Sequence, residues 1–292
     1  LKKEISKNEK ILVLHSDSAE PFRLTKIKSK KIFNLGISEQ NMVTTAAGLS
    51  SLGYKPWINC FAQFMSTRCL DQIRNSILYT NYNVKMFGCH YGLDVAEDGA
   101  THQCIEDIGI FNSIPNIAIF SPADKFELLE ILKFLKKFER PAYIRLPKSN
   151  VIEINKKSYK FKFGRLNCIY KNNKNKTAVI GTGNIFEEIF NAKNYLNTIN
   201  KDFDVISLPC VKPLNYKNII ASLRKYKIIY TYEDHNIKSG IGSIIKNILI
   251  NEKIKIYSIG VGDEFAESGE KKSIYRKYNL DSRTLINLIK KT

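Results

Sequence analysis

The sequence predicts an α/β protein made of two parallel-sheet, three-layer domains. Two series of short β-rich runs alternating with helix-periodic runs point to it, as does the Lys- and Asn-rich stretch between them. A length of 292 residues is enough for two cores of ordinary size.

The first series fills 1–147. Its strands are read at "ILVLHSD" (11–17), "KIFNLG" (31–36), "KPWINCFA" (55–62), "VKMFGCH" (84–90), "NIAIFSPA" (116–123) and "AYIRLP" (142–147). Between them, 38–52, 66–80, 101–113 and 124–138 carry apolar residues at helical spacing. Examples are Met42, Ala46 and Leu49, then Leu70, Ile73 and Ile77, then Phe126, Leu129, Leu132 and Leu135. Ser38 is a candidate cap and Gly53 a candidate stop for the first helix, while Pro115 and Pro122 mark loops.

Residues 148–176 break the alternation and read as a linker with one short strand or hairpin inside "YKFKFGRLNCIY". The second series fills 177–292. Its strands are "TAVIGTG" (177–183), "FDVISLP" (203–209), "KIIYTYED" (227–234) and "IKIYSIG" (254–260). Its helices run from the end of the first of these strands to about 199, then over 215–225, 239–250 and 281–291.

Composition narrows the function classes. Hydrophobic content of 43% and charged content of 25% suit a soluble globular chain, with no membrane-length apolar run and no signal-peptide pattern. The chain opens on Leu1, so part of the native N-terminus is expected upstream. Six cysteines without a C-x-x-C pair suit reduced, mostly buried thiols of a cytoplasmic protein. The net charge of +18 is spread along the chain, densest in "LKKEISKNEK", "KIKSKK" and "NKKSYKFKFGR". A basic scaffold or nucleic-acid-binding protein is the non-enzymatic alternative, but it would cluster that charge in one patch. Spread lysines read as a solvated surface that at most attracts anionic, phosphorylated substrates.

"GTG" at 181–183 lacks the remainder of a dinucleotide fingerprint and reads as a tight βα turn. No Walker A, G-x-S-x-G or H-E-x-x-H sequence is present. The segment "GCHYGLDVAEDGATHQCIEDIG" (88–109) is more telling, because it holds two of the four histidines with Asp94, Glu97 and Asp98 between them. It starts at the carboxyl end of a strand, where parallel sheets bind ligands. His90, Asp98 and His102 are candidates for a polar site, or for a metal site without the usual zinc spacing. Glu39, at a strand-to-helix corner, has two readings. One is a solvated partner of the helix dipole; the other is an acid buried in a dry crevice to share a proton. Phe61 and Phe64 offer either an apolar wall beside it or ordinary core packing.

Several segments, in this order, resemble the C-terminal half of transketolases: "NLGISEQNMVTTAAGLSSLGYKPWINCFAQFMSTRCLDQIR", "GCHYGLDVAEDGATHQCIEDI", "SPAD", "PAYIRLPKS", "VKPLN" and "EDHNIKSGIGS". The resemblance covers nearly the whole chain and implies a pyrimidine-binding domain (1–147), a linker (148–176) and a transketolase C-terminal domain (177–292). The family's diphosphate-binding domain has no counterpart here. The resemblance therefore implies the C-terminal subunit of a split transketolase, working with an N-terminal partner in a two-plus-two heterotetramer.

It also implies thiamine diphosphate shared with that partner, which would hold the Mg²⁺ or Ca²⁺. Glu39 would hydrogen-bond N1′ of the aminopyrimidine, favouring the imino tautomer that takes the thiazolium proton. Phe61 and Phe64 would pack on the pyrimidine, with Thr67 where some members have a third aromatic. Asp17 would stand at the cleft mouth. His90 and His102 would bond sugar hydroxyls and move protons, and Asp98 would bind a hydroxyl beside the carbonyl. Lys148 stands where many members carry a phosphate-gripping arginine, which raises the expectation of a modified sugar substrate. The beta subunit of a 2-oxo acid dehydrogenase decarboxylase is the enzymatic alternative; such subunits lack the E-D-G-A-T-H-Q segment.

Overall fold

Twelve strands form in the computed structural model, which describes residues 5, 6 and 8–292. Residues 1–4 and 7, part of the lysine-rich opening run, lie outside the described residues. The strands are β1 (Ile11–His15), β2 (Ile32–Asn34), β3 (Lys55–Phe61), β4 (Lys85–Cys89), β5 (Ala118–Phe120) and β6 (Ala142–Leu146), then β7 (Asn167–Tyr170), β8 (Thr177–Gly181), β9 (Asp204–Ser207), β10 (Cys210–Lys212), β11 (Ile228–Asn236) and β12 (Lys255–Val261).

They make two sheets, ordered β10-β5-β6-β4-β3-β1-β2 and β12-β11-β8-β9-β7. Each is parallel apart from one antiparallel edge strand, β10 in the first and β7 in the second. β7 comes from the stretch read as a linker. β10 belongs by sequence to the second series, yet it pairs with β5 and so carries the first sheet across the chain's midpoint. β3, β4 and β6 are buried almost throughout, as strands covered on both faces must be.

Helix α1 (Glu39–Ser51) buries Met42, Val43, Ala46 and Ala47 against the sheet. It ends at Gly53, whose φ of 83° places it in the left-handed region while Tyr54 N donates back to Leu49 O. The next helical stretch, α2 (64–78), contains two π segments, Phe64–Arg68 and Ile73–Leu78, around one α turn at Leu70–Gln72. The remaining helices are α3 (Asp107–Ser113), α4 (Lys125–Leu135), α5 (Phe186–Asn197), α6 (Tyr216–Leu223), α7 (Ile241–Ile248), α8 (Lys271–Lys277) and α9 (Ser282–Lys291).

Three expectations need correction. The helix read over 101–113 starts only at Asp107, because Ala96 (φ 59°) and Gly99 (φ 73°) turn the chain left-handed and 93–98 closes as 3-10 turns. Leu129 lies on the exposed side of α4, whereas Glu127 is buried and accepts from Ala123 N and Asn167 Nδ2, both at 2.8 Å. Helix α8 has no counterpart among the helices expected from periodicity. All six cysteines are free thiols and five are buried. Among the described residues no helix is long and apolar enough to cross a membrane.

Candidate active site

Parallel strands deliver their carboxyl ends to one edge of the first sheet, and the candidate residues collect there. Phe61 ends β3, His90 follows β4, Lys148 lies two residues past β6, Asp17 two past β1, and Glu39 opens the helix after β2. The "WINCFAQF" run thus divides between the end of β3, with Phe61 as its last residue, and the start of α2 at Phe64.

Glu39 is 4% exposed. Its Oε2 accepts from Arg68 Nη1 at 3.1 Å, and Oε1 makes no hydrogen bond among the described residues. Ser38 does not cap α1 as the sequence suggested; its hydroxyl turns back and donates to Leu35 O at 2.7 Å. The solvated-helix-start reading of Glu39 fails on this burial.

Arg68 lies with its guanidinium 4.1 Å over the Phe64 ring, so it joins the acid to the aromatic wall. Phe64 meets Phe61 edge-on at 5.7 Å and His102 at 5.1 Å. Phe61 in turn meets His90 edge-on at 4.9 Å and His102 at 5.7 Å. One cluster therefore unites Glu39, Phe61, Phe64, His90 and His102 through Arg68.

His90 is held in the left-handed region (φ 57°), and its Nδ1 is buried without a hydrogen-bond partner among the described residues. Burial first, and the nearby Lys148 ammonium second, lower the pKa of its imidazole and favour the neutral ring. His102 pairs through Nδ1 with Thr101 Oγ1 at 3.0 Å, and its Nε2 makes no hydrogen bond among the described residues. Lys148 Nζ donates to Val95 O (2.8 Å) and Asp98 Oδ2 (3.3 Å) and faces Glu97 Oε2 at 3.5 Å. Asp17 stands apart from this cluster: it exchanges hydrogen bonds with Asn34, each bonding the other at 3.0 Å.

A buried acid with one free oxygen, an aromatic wall and an unpartnered buried imidazole nitrogen fit a flat heteroaromatic ring with hydrogen-bonding nitrogens. Among the described residues no group of three or more His, Cys, Asp or Glu side chains is placed to hold a metal ion, so the metal reading of His90, Asp98 and His102 is not formed.

A buried polar network outside the motifs' named candidates also forms in this region. Asp107 Oδ2 accepts from Arg145 Nε (2.7 Å) and Tyr143 OH (2.8 Å), and all three are fully buried. His235 Nε2 accepts from Ile108 N at 3.2 Å beside them. Arg68 lay inside a quoted motif, and its spacing of four residues from Phe64 on a helical run was the available signal.

The model of the transketolase pyrimidine-binding domain matches residues 1–153, and that of the transketolase C-terminal domain matches residues 167–285. The chain belongs to the transketolase family. One subunit of the apulose-4-phosphate transketolase of Actinobacillus succinogenes is 29% identical over 262 residues, covering 88% of this chain and 83% of that protein. The 1-deoxy-D-xylulose-5-phosphate synthase of Caldanaerobacter subterraneus subsp. tengcongensis is 32% identical over 290 residues, covering 97% of this chain but 46% of the synthase. A solved split-gene transketolase, an inactive β4 tetramer, superposes with a TM-score of 0.89 at 32% identity, over 99% of this chain and 94% of that one. This transketolase chain thus spans most of its split relatives and about half of the longer enzyme.

Proposed function

We propose that the chain is the C-terminal subunit of a split, thiamine-diphosphate-dependent transketolase, transferring a two-carbon ketol unit from a ketose or ketose phosphate to an aldose. The observation that carries the proposal is the single cluster joining buried Glu39 to Phe61, Phe64, His90 and His102. In this reading 1–147 supplies the pyrimidine end of the cofactor site, 148–176 links, and 177–292 is the C-terminal domain. A diphosphate-binding N-terminal subunit supplies the other end and the Mg²⁺ or Ca²⁺, in a two-plus-two heterotetramer in the cytoplasm. The family likeness to a β4 tetramer that is inactive supports the need for that partner.

When bound, thiamine diphosphate supplies a nucleophilic carbon and an electron sink. The chain's own residues prepare its surroundings. Glu39 is fixed through Oε2, so Oε1 is the atom that holds a proton toward the aminopyrimidine. Phe61 and Phe64 keep water from that contact and lower the local dielectric, which strengthens it. His90, favoured neutral by burial, accepts a proton from a sugar hydroxyl, and His102 presents Nε2 to a second one. Asp98, braced by Lys148, orients a hydroxyl next to the reacting carbonyl, and Asp17 borders the entrance.

The synthase relative, with 32% identity over nearly the whole chain, favours a second reading in which the product is 1-deoxy-D-xylulose 5-phosphate. Reconstitution decides between them. The chain, the partner subunit, thiamine diphosphate and Mg²⁺ are combined and offered aldose acceptors with, in separate arms, a ketose or pyruvate as the two-carbon donor. Ketol transfer only in the complete mixture is expected. Formation of 1-deoxy-D-xylulose 5-phosphate selects the second reading, and turnover by the chain alone contradicts the first.

A further inference from the structure

We infer that Asp234, in the C-terminal half of the chain, is a positioning residue for the loop that carries His90, Asp98 and His102; its catalytic consequence rests on the transketolase reading above. Asp234 is 1% exposed and sits near the carboxyl end of β11. Its Oδ1 accepts from Leu93 N at 2.7 Å and its Oδ2 from Asp94 N at 3.1 Å. A carboxylate that takes two successive backbone amides fixes the loop's position and direction together, and both bonds are charge-assisted.

The approach leaves no room for a side chain at residue 92. A Cβ at Gly92, itself at φ 68°, would run into the Asp234 carboxyl group. Asp234 is anchored in turn by the C-terminal half, with Tyr275 OH donating to Oδ2 at 2.8 Å and Asn184 Nδ2 at 3.4 Å.

A second clamp, on the next residue, starts from the same helix as Tyr275. Lys271 of α8 pairs with Asp94 Oδ1 at 2.6 Å, and Ser149 N donates to Asp94 Oδ2 at 2.8 Å. Burial pushes the Asp94 carboxyl up, but the Lys271 ammonium and the Ser149 donors outweigh it and hold the group below its ordinary value. Ser149 adjoins Lys148, whose ammonium holds Val95 O and Asp98. Further along, Ser268 Oγ donates to Glu97 O, and Gln103 Nε2 to Glu267 O at 3.0 Å.

The C-terminal half therefore grips the loop at 93, 94, 97 and 103, between and around the two histidines. None of these contacts reaches Glu39 or the aromatic wall. The grip sets where the sugar is bound and leaves the pyrimidine end untouched.

The test compares Asp234→Asn with Glu233→Gln. Glu233 caps α7 through Ile241 N and Gly242 N, and it is buried one residue away, so its variant controls for destabilisation without touching the loop. Hydrogen exchange of the full chain alone needs no partner, cofactor or substrate, and so is read independently of the proposed activity. Asp234→Asn should speed exchange across 90–104 about tenfold or more, relative to Glu233→Gln. In the reconstituted complex it should raise KM for the ketose by a similar factor and leave thiamine diphosphate affinity unchanged. Lys271→Met, made from the solvent side, should move both readouts the same way by less, and it stands in if Asp234→Asn does not fold. Unchanged exchange at 90–104 overturns the inference. Faster exchange with an unchanged KM overturns the positioning role. Loss of ketol transfer in the native complex overturns the parent reading while the exchange result still stands.

Discussion

Arg68 Nη1 stands 3.1 Å from Glu39 Oε2, and the same guanidinium covers the Phe64 ring at 4.1 Å. One side chain thus fixes the buried acid and the aromatic wall relative to each other. The Arg68 side chain is 46% exposed, so solvent screens the pair and its worth to stability is about 1 kcal/mol. Arg68→Met should lower Tm by only a few degrees and leave assembly intact, yet cut turnover about tenfold by freeing Glu39 to tilt. Tm and kcat measured on one preparation check this. An unchanged kcat would reduce the arginine to a packing role.

Asp107 and Arg145 form the opposite kind of pair, with both side chains out of water. Asp107→Asn leaves a buried guanidinium without its counter-charge and also weakens the bond to Tyr143 OH. The expected loss is about 3–5 kcal/mol, measured by urea denaturation. A loss under about 1 kcal/mol would mean that Arg145 finds another partner.

Residues that act within a few positions of one another were legible in the sequence. The Glu39 corner and the segment with both histidines and Asp98 lie in local motifs that follow strand ends, and local periodicity located most strands, whereas for Phe61 and Phe64 spacing alone favoured core packing and only the family resemblance pointed to a wall. The missed features are long-range. Asp234 reaches across some 140 residues to Leu93, and no local pattern marks a carboxylate that will meet a distant amide. β10 follows β9 after only two residues and pairs antiparallel with β5, a distant partner that no local pattern marks. Leu129, counted among the apolar positions of its helix, is exposed, while Glu127 is buried where two donors wait for it in the interior.

Acid should weaken the chain through His235. Its ring donates from Nδ1 to Asn236 O and accepts at Nε2 from Ile108 N, so the buried neutral form is the one bonded. Burial pushes its pKa down to about 4, against Asp107, which pulls it up. The unfolded ring protonates near 6.5 and the folded one only near 4, so this contribution is complete above about 6.5 and is lost as pH falls toward 4. The full loss is about 3 kcal/mol. Glu233 works the other way: burial pushes its carboxyl up to about 7, and its contribution is lost as pH rises from about 4.5 to 7. The quantity to measure is therefore the stability difference between native chain and His235→Gln. It should shrink as pH falls from 6.5 to 4, and a constant difference would contradict the assignment.

Lys148 already serves Val95 O, Asp98 and Glu97. Its charge is thus partly spent before any phosphate arrives. Lys148→Met should raise KM for phosphorylated and unphosphorylated ketoses alike, about tenfold, by loosening the loop. Lys148→Arg should restore the brace and change the preference for phosphorylated ketoses little. A KM rise confined to phosphorylated ketoses would assign the lysine to the phosphate instead.

The most direct measurement is turnover of Glu39→Gln in the reconstituted complex, with assembly and thiamine diphosphate affinity measured alongside. Gln keeps the size of the side chain and a carbonyl oxygen for Arg68, and its amide N–H can still donate toward the cofactor ring, but it cannot give up or take back that proton. An intact complex whose ketol transfer falls about 100- to 1,000-fold is expected. Near-native turnover in that intact complex would contradict this expectation and return Glu39 to the role of a buried helix-start residue.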